Sequence, residues 1–132
     1  PRVLNLGIGC RRGVTPEAIA GAVGEVLRAH RLSPKAVRQV CTIDLKKGEA
    51  GLLAFCRQWG LPLRTFTPQE LAEISGEFTP SEFVRGVTGV DNVCERAAVR
   101  AGGELIVRKQ AGGVTVAVSR EPLVISLEGE SA

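Results

Sequence analysis

The sequence predicts a three-layer α/β/α domain on a mixed, largely parallel sheet that ends in a C-terminal hairpin. Three observations point there. Val3 to Ile8 is an almost unbroken apolar run, as in strands buried on both faces by helices. Helical stripes then alternate with further β-patterned runs, the order that builds parallel sheets. Finally, 104–110 and 114–119 are β-patterned and joined by Ala111-Gly112-Gly113, a hairpin.

Length and composition set the frame. A chain of 132 residues, 44% of them hydrophobic, makes about one domain, expected to span 1–132. No apolar run approaches the roughly twenty residues that cross a bilayer, and the start lacks the layout of a secretory signal, so a cytoplasmic setting is expected. Cys10, Cys41, Cys56 and Cys94 are scattered without a C-x-x-C pair, which indicates reduced thiols rather than a zinc ribbon or a disulfide framework. A net charge of +3, with four Phe, one Trp and no Tyr, argues against a nucleic-acid surface.

The first strand runs into Leu6-Gly7-Ile8-Gly9-Cys10-Arg11-Arg12-Gly13, read as the ligand loop. Gly7, Gly9 and Gly13 allow unusual torsions and close approach to the main chain. Thr15 suits an N-cap and Pro16 the first helical position, so free N–H groups and the positive helix end face the loop. Arg11 and Arg12 add two planar forks matched to carboxylate or phosphate. The plain alternative is a strand-to-helix turn with solvated arginines; three glycines and two adjacent cations weigh against it.

The helix from Pro16 to about Arg31 carries Ile19, Ala22, Val23, Val26 and Leu27 on one stripe, with His30 on the same stripe as a structural cap in the last turn. Ser33-Pro34 opens a short helical turn, and Val37 to Leu45 is the second strand. At its end Asp44, Lys46 and Glu49 should share the crevice edge with the glycine loop. Their alternative is a hydrophilic loop and an acidic first helical turn.

Glu49 to Trp59 is the next helix, with Leu52, Leu53, Cys56 and Trp59 apolar and Gly60 as its stop. Trp59 is read as core. Leu61 to Phe66 makes a third strand, on an edge because of Pro62. Thr67-Pro68-Gln69-Glu70 and Thr79-Pro80-Ser81-Glu82 are capping boxes. Asp91 caps a helix from Asn92 to Ala101, whose Cys94, Ala97, Ala98 and Ala101 form a face of small side chains; tight packing on the sheet is the commoner reason for such a face, close approach of a flat ligand the other. The direction of Glu95, in the first turn, is left open. Lys109 alternates with Leu105 and Val107; its ammonium either snorkels to water or reaches a ligand. Leu123 to Leu127 could add a last edge strand.

Four separated motifs carry a resemblance over the whole chain: Gly7-Ile8-Gly9-Cys10-Arg11-Arg12-Gly13; Thr42-Ile43-Asp44 with Lys46 and Glu49; Gly89-Val90 with Val93, Glu95, Ala97 and Ala98; and Lys109 with Val114-Thr115-Val116-Ala117. The sequence resembles the C-terminal domain of the cobalt-precorrin-5A hydrolase (CbiG) family of cobalamin biosynthesis and its stand-alone relative CobE. The resemblance implies a cobalt-corrinoid intermediate as ligand and, in the full hydrolase, opening of a lactone with release of acetaldehyde. It also implies that a further N-terminal region, or another enzyme of the pathway, is a partner. Cobalt arrives within the substrate, so no cofactor and no metal ligand are expected.

Such a ligand is rimmed with carboxylates. The expected substrate-binding set is Gly9, Cys10, Arg11, Arg12, Gly13, Thr15, Asp44, Lys46 and Lys109, with Glu49 or Glu95 as catalytic base and the loop amides as oxyanion donors. Two other classes stand beside this reading. One is a non-catalytic corrinoid carrier. The other is a nucleotide-binding domain, although Gly7-x-Gly9-x-x-x-Gly13 misses the dinucleotide spacing by one residue and Asp44 lies too far along the chain for the ribose acid.

Overall fold

The computed structural model describes residues 2–44, 48–73, 93–111 and 114–122, with the backbone alone at 93 and 108–111. Its strands are β1 (Leu4–Cys10), β2 (Val37–Ile43), β3 (Leu63–Phe66), β4 (Glu104–Ala111) and β5 (Val114–Arg120). Its helices are α1 (Pro16–Ala29), α2 (Ala50–Trp59), α3 (Pro68–Ala72) and α4 (Val93–Ala101), with a 3-10 turn at Pro34–Ala36. The sheet order is β3-β2-β1-β5-β4. β1, β2 and β3 run parallel, while β5 lies antiparallel to both β1 and β4. The mixed sheet and the hairpin are as the sequence predicts.

Each strand alternates between two different layers. Leu4, Leu6, Ile8 and Cys10 of β1 join Val116 and Val118 of β5 in an apolar core with Ile19, Val23, Val26 and Leu27 of α1 and Leu52 and Phe55 of α2. On the other face Cys41, Ile43 and Phe66 meet Leu71 of α3 and Ala97 of α4. His30 is the C-cap of α1, as expected, but it is exposed rather than part of the buried stripe. The chain reverses beyond it through Arg31, at φ 56°, with Leu32 N–H bonded to Leu27 O at 2.8 Å. Trp59 packs at the core margin, its ring 4.9 Å from that of Phe55. Thr67 and Glu70 form the expected capping box. The second box, Asp91 and Leu123 to Leu127 fall outside the described residues.

Two expectations change on this side of the sheet, and the packing role of the small-residue helix face holds. Gly7 and Gly9 belong to β1 rather than to a loop. A Cβ on Gly7 would run into the carbonyl oxygen of Cys94, so this glycine admits the backbone of α4, and the small face of that helix serves packing. In β4 the register shifts between Leu105 and Val107, which pair with the adjacent residues Ser119 and Val118. The extra residue puts Leu105 and Val107 on opposite faces, so the simple alternation that grouped them with Lys109 fails at Leu105.

The last turn of α4 is tied to the sheet by polar contacts that the sequence reading missed. Buried Asn5 donates from Nδ2 to Gly102 O (3.1 Å) and Glu121 Oε2 (2.9 Å), and its Oδ1 accepts from Gln39 Nε2 (2.9 Å). Ser119 Oγ lies 2.7 Å from Ala98 O and 2.8 Å from Gly102 O. Arg38 closes the group on Glu121 Oε1 at 2.7 Å. Among the described residues no helix is long and apolar enough to cross a membrane.

One substitution at two positions should have opposite signs. Gly7→Ala drives a methyl into α4 and should cost about 1–3 kcal/mol or more, whereas Gly21→Ala, in open space on α1, should stabilise by about 0.5–1 kcal/mol. Urea denaturation of the two variants checks both.

Candidate functional site

The edge where β1, β2 and β3 end is also where α1, α2 and α3 begin. α4 starts there too, because Cys94, near its first turn, lies against Gly7 while Gly102, past its end, lies near Asn5. The end of β4 and the start of β5 lie on the same edge, since Val114 pairs with Cys10 and Ala111. Backbone N–H groups at helix starts carry partial positive charge. Gathering four starts on one edge gives it a bias toward anions before any side chain is counted.

The arginine loop sits at the centre. β1 extends to Cys10, whose side chain is buried in the core, so the loop proper begins at Arg11. Cys10 is thereby placed below the loop and away from its exposed surface. Val14 N–H bonds back to Arg11 O at 3.2 Å, turning the chain around Arg12 and Gly13, and Gly13 has φ 82°, where a side chain would be strained. Thr15 caps α1 as expected, its Oγ1 accepting from Ala18 N–H at 3.1 Å, with Pro16 at the first helical position. Arg11 and Arg12 are exposed, and among the described residues neither guanidinium has a hydrogen-bond or ion-pair partner.

Glu49 joins this loop from α2. It occupies the N-cap position of that helix without capping it; its Oε2 instead accepts the Gly13 N–H at 2.9 Å. Two residues on, Gly51 lies so close to Val14 that a Cβ would run into the Val14 carbonyl oxygen. Loop and helix start are therefore in backbone contact. Nothing local in the sequence announced the Glu49–Gly13 bond, which spans 36 positions.

The other expected residues are spread along the edge. Asp44 follows β2, half-buried. Gly9 faces Thr115, whose Oγ1 would lie 2.6 Å from a Cβ at that position. Glu95 is buried, 4% exposed, on α4. Lys109 pairs with Val116 in the β4–β5 register, and Lys46 lies outside the described residues. The structure thus brings Gly13, Thr15, Glu49 and the two arginines together; Glu95, in the first turn of α4, starts from the same edge but belongs to the helix on the other face of β1.

Three of the cysteines are held toward the thiol form by their surroundings. Burial, partly opposed by the Arg64 guanidinium, pushes the Cys41 thiol up to about 12; burial also raises Cys56 to about 11, and Cys94, despite a hydrogen bond with Thr115, to about 11. None of the four cysteines is in a disulfide. Among the described residues no three His, Cys, Asp or Glu side chains are grouped to hold a metal ion.

Comparison with known proteins adds to this geometry. A model of the family described as "Cobalamin synthesis G C-terminus" matches residues 4–119. The chain is 38% identical over 125 residues to the cobalt-precorrin-5A hydrolase of Priestia megaterium, covering 92% of this chain and 33% of that one, so it spans about a third of that relative's length. It is 32% identical over 129 residues to Protein CobE of Sinorhizobium sp, covering 95% of this chain and 84% of the other. The crystal structure of CobE, a protein from the cobalamin (vitamin B12) biosynthetic pathway, superposes with a TM-score of 0.84 at 27% identity, covering 91% of both chains.

Raised thiol pKa values predict both reactivity and pH dependence. In the folded protein at pH 8, Cys41 and Cys56 should react with a disulfide reagent far more slowly than after denaturation. A folded-state pKa above the unfolded value of about 8.5 makes the contribution complete below that pH and lost as pH rises, so denaturation midpoints should fall through the alkaline range.

Proposed function

Since the chain belongs to the cobalamin synthesis G C-terminus family, we propose that it binds a corrinoid intermediate by its peripheral carboxylates at the edge built around Arg11 and Arg12. One observation carries this reading. Two exposed guanidiniums without partners among the described residues stand on a sharply turned loop at a helix start, on an edge where three other helices begin. Each guanidinium matches a carboxylate through two parallel N–H donors, and a rim of acetate and propionate groups presents several at once. In this reading cobalt comes with the ligand and no further cofactor is required, in keeping with the lack of a metal-holding cluster among the described residues.

Lactone opening in the longer relatives needs an activated water and donors at the developing oxyanion. We assign this chain the binding half of that site. Glu95 lies on the far side of β1 from the arginine loop's apolar support, and Glu49 is bonded to the loop itself. The remainder of the hydrolase completes the reaction, as the partner this domain works with. The likeness to CobE over almost its whole length favours a second reading, a stand-alone corrinoid-binding protein that hands its ligand to another enzyme. A phosphate-cradling loop for a nucleotide is disfavoured by Gly7 and Gly9, which face α4 and Thr115 from within a strand. A cytoplasmic setting goes with this reading, supported by four cysteines outside any disulfide.

Binding is tested by titrating cobyrinic acid, which carries free carboxylates, against cobinamide, whose side chains are amides. The acid should bind more tightly. Replacing Arg11 and Arg12 together by Ala should weaken it about a hundredfold or more, each charge-assisted contact contributing about 1.5–3 kcal/mol. Equal affinity for the two corrinoids, or an unchanged double variant, would sink the proposal. Acetaldehyde release from cobalt-precorrin 5A by this chain alone should stay at background; turnover by these 132 residues would place the entire reaction here.

A further inference from the structure

We infer that Glu49 is the positioning residue of the arginine loop: it acts on the ligand through Arg11 and Arg12, by holding the Gly13 amide, and moves no proton. The inference rests on the reading of that loop as a carboxylate site. Glu49 stands where a helix N-cap stands, yet its carboxylate leaves its own helix and accepts the Gly13 N–H at 2.9 Å. Gly13 is the residue of the loop with a left-handed backbone, φ 82°, and so the point where the turn is set. The start of α2 grips the loop again one residue later, where Gly51 admits the carbonyl of Val14. Val14 N–H in turn closes the turn on Arg11 O.

These contacts flank the two arginines. Between the end of β1 at Cys10 and the Thr15 cap, the chain is fixed at Arg11, Gly13 and Val14, which leaves the two long side chains mounted on a rigid turn. A fork that must meet two carboxylate oxygens depends on such a mount, because its bonds weaken steeply away from linear geometry. The carboxylate of Glu49 carries the wrong sign to bind an anionic ligand itself, and one of its oxygens is already bonded to the amide. Its contribution is reach and acceptor position rather than charge.

Reach and charge separate cleanly by substitution. Glu49→Gln keeps the length and an acceptor oxygen without the charge, whereas Glu49→Asp keeps the charge, and a favourable N-cap residue, but is one methylene short of Gly13. In ¹⁵N-labelled chain, the Gly13 amide resonance should titrate with a single carboxylate in the wild type and stay flat with pH in Glu49→Gln. Cobyrinic acid should bind Glu49→Gln within about threefold of wild type, and Glu49→Asp and Glu49→Ala about tenfold more weakly. Glu49→Asp guards against an Ala variant that fails to fold.

Binding of Glu49→Asp at wild-type strength, or of Glu49→Gln as weakly as Glu49→Asp, would overturn the inference and leave the corrinoid reading standing. So would a Gly13 amide that does not sense Glu49. Absence of cobyrinic acid binding by the wild type, with the Gly13 amide still titrating, would instead overturn the carboxylate site and the inference with it.

Discussion

A single backbone contact organises the molecule: α4 lies directly on β1 at Gly7, close enough that no side chain fits between them. The central strand is therefore thick on one face and bare on the other. Toward α1 and α2 it presents Leu4, Leu6 and Ile8 to a conventional apolar core. Toward α4 it presents Asn5, Gly7 and Gly9, so that helix docks through Ala97 and Ala98 and has little bulk to bury. Its attachment comes instead from Asn5 and Ser119, which donate to its final carbonyls, with Gln39 and Glu121 bonded to Asn5 behind them. Those groups are costly to leave unsatisfied, about 1–3 kcal/mol each, which makes the joint specific in position.

What the sequence made legible was local. The apolar stripe of α1, the Thr67–Glu70 box, Thr15 with Pro16 and the closing hairpin each depend on residues within a few positions of one another, and each stands in the structure. The errors have a common cause. A glycine reports that something comes near, without reporting what: Gly7 reads equally well as a ligand approach and as the seat of a helix that meets it at Cys94, far along the chain. Asn5 looked like one polar interruption in an apolar strand because its partners lie far along the chain. The bulge in β4 has no signature in a run that alternates well enough by eye.

The same division holds at the candidate site. Arg11, Arg12 and the Thr15 cap could be found from adjacency. The Glu49–Gly13 bond could not, because it depends on α2 starting beside the loop, which is a property of the sheet order. Read together, the two layers describe a rigid mount for a pair of cations. This domain recurs as about a third of a hydrolase and as nearly the whole of CobE, and a mount that needs only its own elements for support is suited to both settings.

The strand order also bears on how the chain assembles. β1, α1, β2, α2 and β3 follow one another in sequence and space, so they can pair by short crossovers as each is made. β5, by contrast, is the last described strand and pairs with the first along its full length, antiparallel from Leu4 with Arg120 to Cys10 with Val114. Loop closure over such a separation is entropically slow, and α4 has no seat until Asn5 and Ser119 are side by side. Until then β1 has an open strand edge where β5 belongs and an uncovered glycine strip on the face where α4 belongs, the kind of surface on which nascent chains stick to one another. The arginine loop and its Glu49 clasp belong to the half that can form first, whereas the hairpin and α4 that complete the edge come with the slow step.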